Sequence, residues 1–94
     1  MALRLVRTAQ AERDLIEIGA YIAMEDPNAA IRVLANLDAK STLLCSFPQL
    51  GRPDLARPGR RIHTVGNYLI IYKEEPDRVS ILRYLHSRRD RRWL

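Results

Sequence analysis

The 94 residues suffice for one domain, and with 47% apolar and 29% charged side chains the composition is globular rather than disordered. No run of about 18 apolar residues occurs that would span a membrane, and Met1-Ala2-Leu3-Arg4 does not begin a secretory signal. Cys45, the single cysteine, excludes an internal disulfide and a thiol-built metal cluster, so a cytoplasmic chain without metal or cofactor is expected.

The charge is uneven along the chain. Residues 1–47 carry five basic and six acidic side chains, whereas residues 48–94 carry eleven basic and five acidic, and fourteen of the sixteen cations are arginine. Arginine offers a planar fork matched to carboxylate or phosphate and stays charged when partly desolvated. The second half therefore expects an acidic partner, a nucleic acid, or both in turn.

In chain order, Leu3-Arg4-Leu5-Val6-Arg7 alternates as a short strand. Thr8 is placed to cap a helix whose early turns hold Glu12 and Asp14, where the helix dipole favours acids. Ala11, Leu15, Ile18 and Ile22 form one apolar stripe on that helix, which runs to about Met24. Asp26-Pro27 ends it and starts a second, since Pro suits the first helical position and Asp26 can cap. The second stripe is Ala30, Leu34, Leu37, Ser41 and Leu44, with Cys45 beside it as a buried thiol, and the helix should stop near Phe47-Pro48. Residues 48–59 hold three Pro and two Gly and read as loop. Gly66-Asn67 between Arg61–Val65 and Tyr68–Lys73 signals a two-residue hairpin. Pro76-Asp77 turns the chain into a last strand, Val79–His86. The apolar run Leu69-Ile70-Ile71 suits a central strand covered on both faces. The expected fold class is α+β: one domain over residues 1–94, with a small, mostly antiparallel sheet packed against an N-terminal helical hairpin in the order β-α-α-β-β-β.

Specific residues resemble the ParE/RelE toxins of type II toxin–antitoxin systems. The first helix carries Ala11, Asp14-Leu15, Ile18 and Tyr21-Ile22, similar to A-x-x-D-L-x-x-I-x-x-Y-I. The loop and meander carry Phe47-Pro48-x-x-Gly51-Arg52, Pro58-Gly59-x-Arg61 and Val65-Gly66-x-Tyr68-Leu69-Ile70-x-Tyr72. The ending Ile81-Leu82-Arg83-x-Leu85-His86-x-Arg88-Arg89-Asp90 is similar to I-L-R-V-L-H-G-R-R-D, with Tyr84 and Ser87 in place of the usual small aliphatic residue and Gly. ParE is the nearer branch. That resemblance implies a non-enzymatic toxin that stalls DNA gyrase on cleaved DNA, held silent in a hetero-oligomer with a ParD-like antitoxin. Resemblance to RelE would instead imply an endonuclease cutting messenger RNA on the ribosome.

RNA cleavage through the 2′-hydroxyl needs a base, an acid and cations around the phosphate. Cations are plentiful at Arg60, Arg61, Arg83, Arg88 and Arg89. The proton carriers on offer are His86, His63, Tyr84, Tyr72 and Glu74, each with an ordinary structural reading beside the catalytic one. Tyr84 and His86, two apart on a strand, should share a face with Leu82. No catalytic set is assigned. Arg88-Arg89-x-Arg91-Arg92 with Trp93 could grip nucleic acid, but a solvated tail is the simpler reading, and direct nucleic-acid binding is not expected. Arg83, His86, Arg88 and Arg89 are expected to contact the target, because they cluster at one end of the sheet. Arg83 could equally be structural, satisfying a carboxylate such as Asp90. For the antitoxin, apolar anchors are expected beside Leu15, Ile18, Leu34 and Leu37, and acids at Arg60 and Arg61, which are equally second choices for target contact.

Overall fold

A computed structural model describes residues 2–89. The chain runs β1 (Arg4–Arg7), α1 (Ala9–Ala23), α2 (Pro27–Ser46), β2 (Arg52–Pro53), β3 (Arg61–Val65), β4 (Tyr68–Glu74) and β5 (Arg78–His86). The five strands form one sheet in the order β1-β5-β4-β3-β2, antiparallel except for the parallel β1–β5 pair. The helical hairpin covers one face, so the expected α+β architecture is the observed one. One element was not expected: Arg52-Pro53, inside the supposed loop, pairs with Arg61-Ile62 as a two-residue edge strand. Pro53 lacks an N–H to donate and is tolerated at that edge.

The helix ends follow their capping chemistry. Thr8 accepts from the Ala11 N–H at 3.1 Å and Asp26 from the Ala29 N–H at 3.0 Å, with Pro27 at the first position of α2. Both stripes face inward, where Ala11, Ile18, Leu37 and Leu44 join Val65, Ile70, Tyr72, Val79, Ile81 and Tyr84 in the main core. The helices approach closely at Gly19, where a Cβ would lie 2.9 Å from Leu34 Cδ1. Between β3 and β4, Gly66 takes φ +59° and Asn67 keeps a negative φ, which is the turn that a leading glycine permits.

β4 is the central strand, and its two faces serve two clusters. Ile70 and Tyr72 face the helices, while Leu69 and Ile71 join Ile62, Leu85 and Leu82 on the opposite face. The β4–β5 register slips at one point: Ile71 lies opposite Arg83 and Tyr72 opposite Ile81, which leaves Leu82 as a bulge. That extra residue reverses the alternation of β5. Ile81 and Tyr84 both point to the helices, and Leu82 packs on the other side. The expectation that Leu82 shares a face with Tyr84 and His86 is thereby corrected.

Candidate functional site

β1 ends opposite Ile81, so the edge of β5 from Leu82 onward has no strand beside it. The start of α1 takes over. The Thr8 N–H donates to the Ile81 carbonyl at 3.1 Å, and the Thr8 hydroxyl donates to the Leu82 carbonyl at 3.1 Å. Two residues further along β5, the carboxylate of Asp14 accepts from the Tyr84 N–H at 3.0 Å. Asp14 is only 4% exposed and is fully engaged. Oδ2 also accepts from Arg83 Nε at 2.8 Å, and Oδ1 accepts from Arg83 Nη2 at 3.1 Å and Gln10 Nε2 at 2.9 Å. This fork-on-carboxylate pair satisfies a buried charge that would otherwise be costly.

Past that anchor the chain turns over the end of the sheet. The Ser87 N–H donates to the Asn67 carbonyl at 2.8 Å, and the N–H groups of Arg88 and Arg89 point at His86 Nδ1 at 3.1 and 3.4 Å. His86 Nδ1 is thus an acceptor, and its ring stands edge-on to Tyr68 with centroids 5.1 Å apart. Ser87 has no positive φ, so the left-handed turn that a glycine would allow is not used. Arg89 lays its guanidinium over the Tyr21 ring, 4.1 Å from the centroid. A surface pocket of about 180 Å³ lies beneath, lined by Asp14, Glu17 and Tyr21 of α1 and by Arg83, Leu85 and Arg89. The four residues expected to contact a target are therefore brought to one end of β5, but in different roles. Arg88 and Arg89 are exposed, His86 organises the turn, and Arg83 is tied to α1. Its carboxylate partner is Asp14; Asp90, the partner suggested by sequence, lies outside the described residues, as do Arg91, Arg92 and Trp93.

The other expected residues divide differently. Ile18 and Leu37 are 6% and 1% exposed, and Leu15 and Leu34 pack half-buried against the same core. Ile18 and Leu37 hold the hairpin to the sheet, so anchors seated beside them meet Leu15 and Leu34 as the more accessible members of the four. Large apolar side chains that the hairpin exposes are Ile16, Tyr21, Met24 and Ile31. Arg60 and Arg61 also separate. Arg61 donates to the Gly51 carbonyl at 2.8 Å, holding the loop before β3. Arg60 lies near Arg57 and Arg83; burial first, then those two positive charges, lower its pKa.

The tyrosines read as proton carriers are structural members. The Tyr72 hydroxyl donates to the Pro48 carbonyl at 2.8 Å and accepts from the Gly51 N–H at 2.9 Å, and burial pushes its pKa up. Ser41 spends its proton on the Leu37 carbonyl at 2.8 Å, so Tyr84 donates to Ser41 Oγ at 2.7 Å and accepts from Arg7 Nε at 2.9 Å. Sequence reasoning missed Arg7 and the burial of Asp14. A signal was present for both: Asp14 lies three residues after Ala11 and four before Ile18, on the apolar face, and Arg7 shares the parity of Leu3 and Leu5. Cys45 is buried, which raises its thiol pKa and keeps it unreactive. Among the described residues no group of three His, Cys, Asp or Glu side chains could hold a metal ion, and no helix is long and apolar enough to cross a membrane.

His63 stands apart on β3, half-buried, its pKa lowered from 6.5 by burial and then by the Lys40 charge. The folded state thus binds this proton less readily than the unfolded chain, so stability falls as pH drops through and below 6.5. Replacing His63→Gln is expected to flatten the dependence of Tm on pH between about 7.5 and 5, leaving the carboxylate-driven loss at lower pH. Parallel slopes for the two proteins in thermal melts would refute this.

Residues 5–91 match the family model described as the ParE toxin of the type II toxin–antitoxin system parDE. The chain belongs to the ParE toxin family. Y4kP of Sinorhizobium fredii (strain NBRC 101917 / NGR234), described as a candidate toxin, is 38% identical over 85 residues, covering 89% of this chain and 88% of that protein. Among solved structures, this ParE-family chain resembles a chain of the chromosomal ParDE system from P. aeruginosa. The TM-score is 0.78 at 22% identity, over 90% of this chain and 96% of that one. It also resembles a chain of the RelBE2 toxin–antitoxin complex from Mycobacterium tuberculosis. There the TM-score is 0.71 at 25% identity, over 92% of each chain. The ParE/RelE superfamily is thus the setting of both the sequence and the fold.

Proposed function

We propose that this chain is the toxin of a type II pair, that it disables DNA gyrase in the cytoplasm without making or breaking bonds itself, and that a ParD-like antitoxin restrains it. The observation that carries the gyrase reading is the end of β5. Asp14 and His86 fix the backbone there, and the exposed cations Arg88 and Arg89 project beside the Tyr21 pocket. Such an arrangement favours gripping an acidic surface over transferring protons. The alternative, a RelE-like endonuclease acting on ribosome-bound messenger RNA, needs a base and an acid near those cations. Two of its candidate carriers, Tyr72 and Tyr84, are fully buried with their hydroxyls engaged on both sides. An antitoxin segment with apolar anchors finds the exposed Ile16, Met24 and Ile31 on the hairpin, and its acids find the basic half.

The test is expression without the partner, following DNA and messenger RNA together. Filamentation, a DNA-damage response and trapped cleaved DNA with intact transcripts are expected; rapid transcript cleavage within codons would favour the nuclease. Arg88→Glu/Arg89→Glu is expected to abolish toxicity and leave the melting temperature within a few degrees, since both side chains are exposed. Full toxicity in that double variant would remove these residues from the target contact.

A further inference from the structure

We propose that His86 is a positioning residue: a neutral imidazole whose Nδ1 caps the turn after β5 and so sets where Arg88 and Arg89 are held for the target. The inference rests on the toxin reading above and deepens it. His86 serves the contact through the backbone it holds, not by touching the target or moving a proton.

The need for a cap is local. β5 ends at His86, and residues 87–89 turn. The first N–H groups of a turn, like those of a helix, find no acceptor within it. Short polar side chains normally supply one. Elsewhere in this chain Thr8 does so for the Ala11 N–H, Asp26 for the Ala29 N–H and Asp54 for the Ala56 N–H. His86 stands in the corresponding place after β5. Its Nδ1 accepts from the N–H groups two and three residues on, at 3.1 Å from Arg88 and, more weakly, at 3.4 Å from Arg89. Nδ1 is bonded to Cγ, as Oδ1 is in Asp and Asn, so an imidazole can do the work of those caps.

Accepting fixes the state of the ring. N–H groups aimed at Nδ1 need its lone pair, so the neutral imidazole carries its proton on Nε2. Such a ring has no lone pair left for the work of a base. Its orientation is fixed as well. Tyr68 is the cross-strand partner of His86, and the two rings meet edge-on, 86° apart in plane. The Ser87 N–H is held by the Asn67 carbonyl at 2.8 Å, so β4 and its hairpin brace both the ring and the start of the turn. Arg88 and Arg89 are exposed, and core packing does not set the shape of their turn; its backbone bonds to His86 and Asn67 do. The stacking of Arg89 on Tyr21 of α1 follows from that shape.

His86→Asn and His86→Gln test this in the full chain. Both lose the ring, but Asn returns an acceptor to the δ position, whereas Gln carries it one bond further out. The two variants should therefore melt within about 5 °C of each other. His86→Asn should keep growth arrest and affinity for purified gyrase tetramer within about threefold of the parent, while His86→Gln loses at least about tenfold in both. Long-range proton–nitrogen spectra of the full chain carrying His63→Gln, which leaves one histidine signal, should show His86 protonated on Nε2 alone at neutral pH. A proton on Nδ1 overturns the proposal. Equal losses in the two variants also overturn it, since the imidazole itself would then be what the target needs. Equal retention, or a Gln variant more active than the Asn one, overturns it because the turn would need no cap at that position. A parent that arrests growth without binding gyrase sinks the gyrase reading alone, and growth arrest by the two variants then decides the cap. A parent that never arrests growth overturns both.

Discussion

Asp14→Ala is expected to destabilise the fold by about 3 kcal/mol, a larger effect than any surface acid of this chain should give. Three donors lose their acceptor at once. The Tyr84 N–H lies on a strand edge with no neighbouring strand, Gln10 loses its partner, and the guanidinium of Arg83, 31% exposed, keeps its charge without the carboxylate. For a domain of this size the melting temperature should fall by more than about 12 °C. A loss below about 1 kcal/mol would mean that water replaces the carboxylate, and that the strand edge does not depend on it. The double change Asp14→Leu/Arg83→Met separates structure from function. Removing both charges also removes their desolvation cost, so much of the stability should return. Toxicity restored together with stability would assign Arg83 to the fold; a stable but inactive double variant would assign it to the target.

Tyr84→Ala is expected to cost about 3–5 kcal/mol, the range for deleting a buried aromatic ring. Tyr84 is 1% exposed and fills the space between the sheet and both helices. Its hydroxyl also links Ser41 of α2 to Arg7 of β1, so the ring and the polar network can be weighed separately. Tyr84→Phe keeps the ring and leaves Ser41 and Arg7 each one partner short, for about 1–2 kcal/mol. Arg7 still holds Asp38 at 2.5 Å in that variant, which limits the loss. Urea unfolding of the two variants gives the division directly. Equal losses would mean that the hydroxyl network, not the packing, carries Tyr84.

Both residues show where the sequence was legible and where it was not. The helices could be read to within a residue because Thr8, Asp26 and Pro27 act locally, and the same holds for the Gly66-Asn67 hairpin. The central place of β4 followed from its unbroken apolar run. The orientation of Tyr84 did not, because alternation along a strand assumes no bulge, and nothing local to Leu82 announces one. The Asp14–Arg83 pair spans 69 residues, and Asp14 has a sufficient local explanation as a dipole-favoured acid. Its place on the apolar stripe was the contrary clue. At the candidate site, the sequence brought Arg83, His86, Arg88 and Arg89 to one sheet end correctly in space. It could not distribute their roles, which depend on hydrogen bonds to α1 and to the backbone of the turn.

The parallel pairing of β1 with β5 bears on how this chain is made. Arg4 pairs with Arg78 and Arg7 with Ile81, so the first strand waits for residues more than seventy positions later. At about 5–20 residues per second, several seconds pass on the ribosome before that partner has even been polymerised. Until then the helical hairpin can form, but the sheet that it covers cannot close, and the entropy of the long closure is met late. Arg88 and Arg89 follow β5 directly, so these exposed cations and the completed sheet arrive together. A partially synthesised chain therefore lacks both the closed five-stranded sheet and the exposed cations at the end of β5.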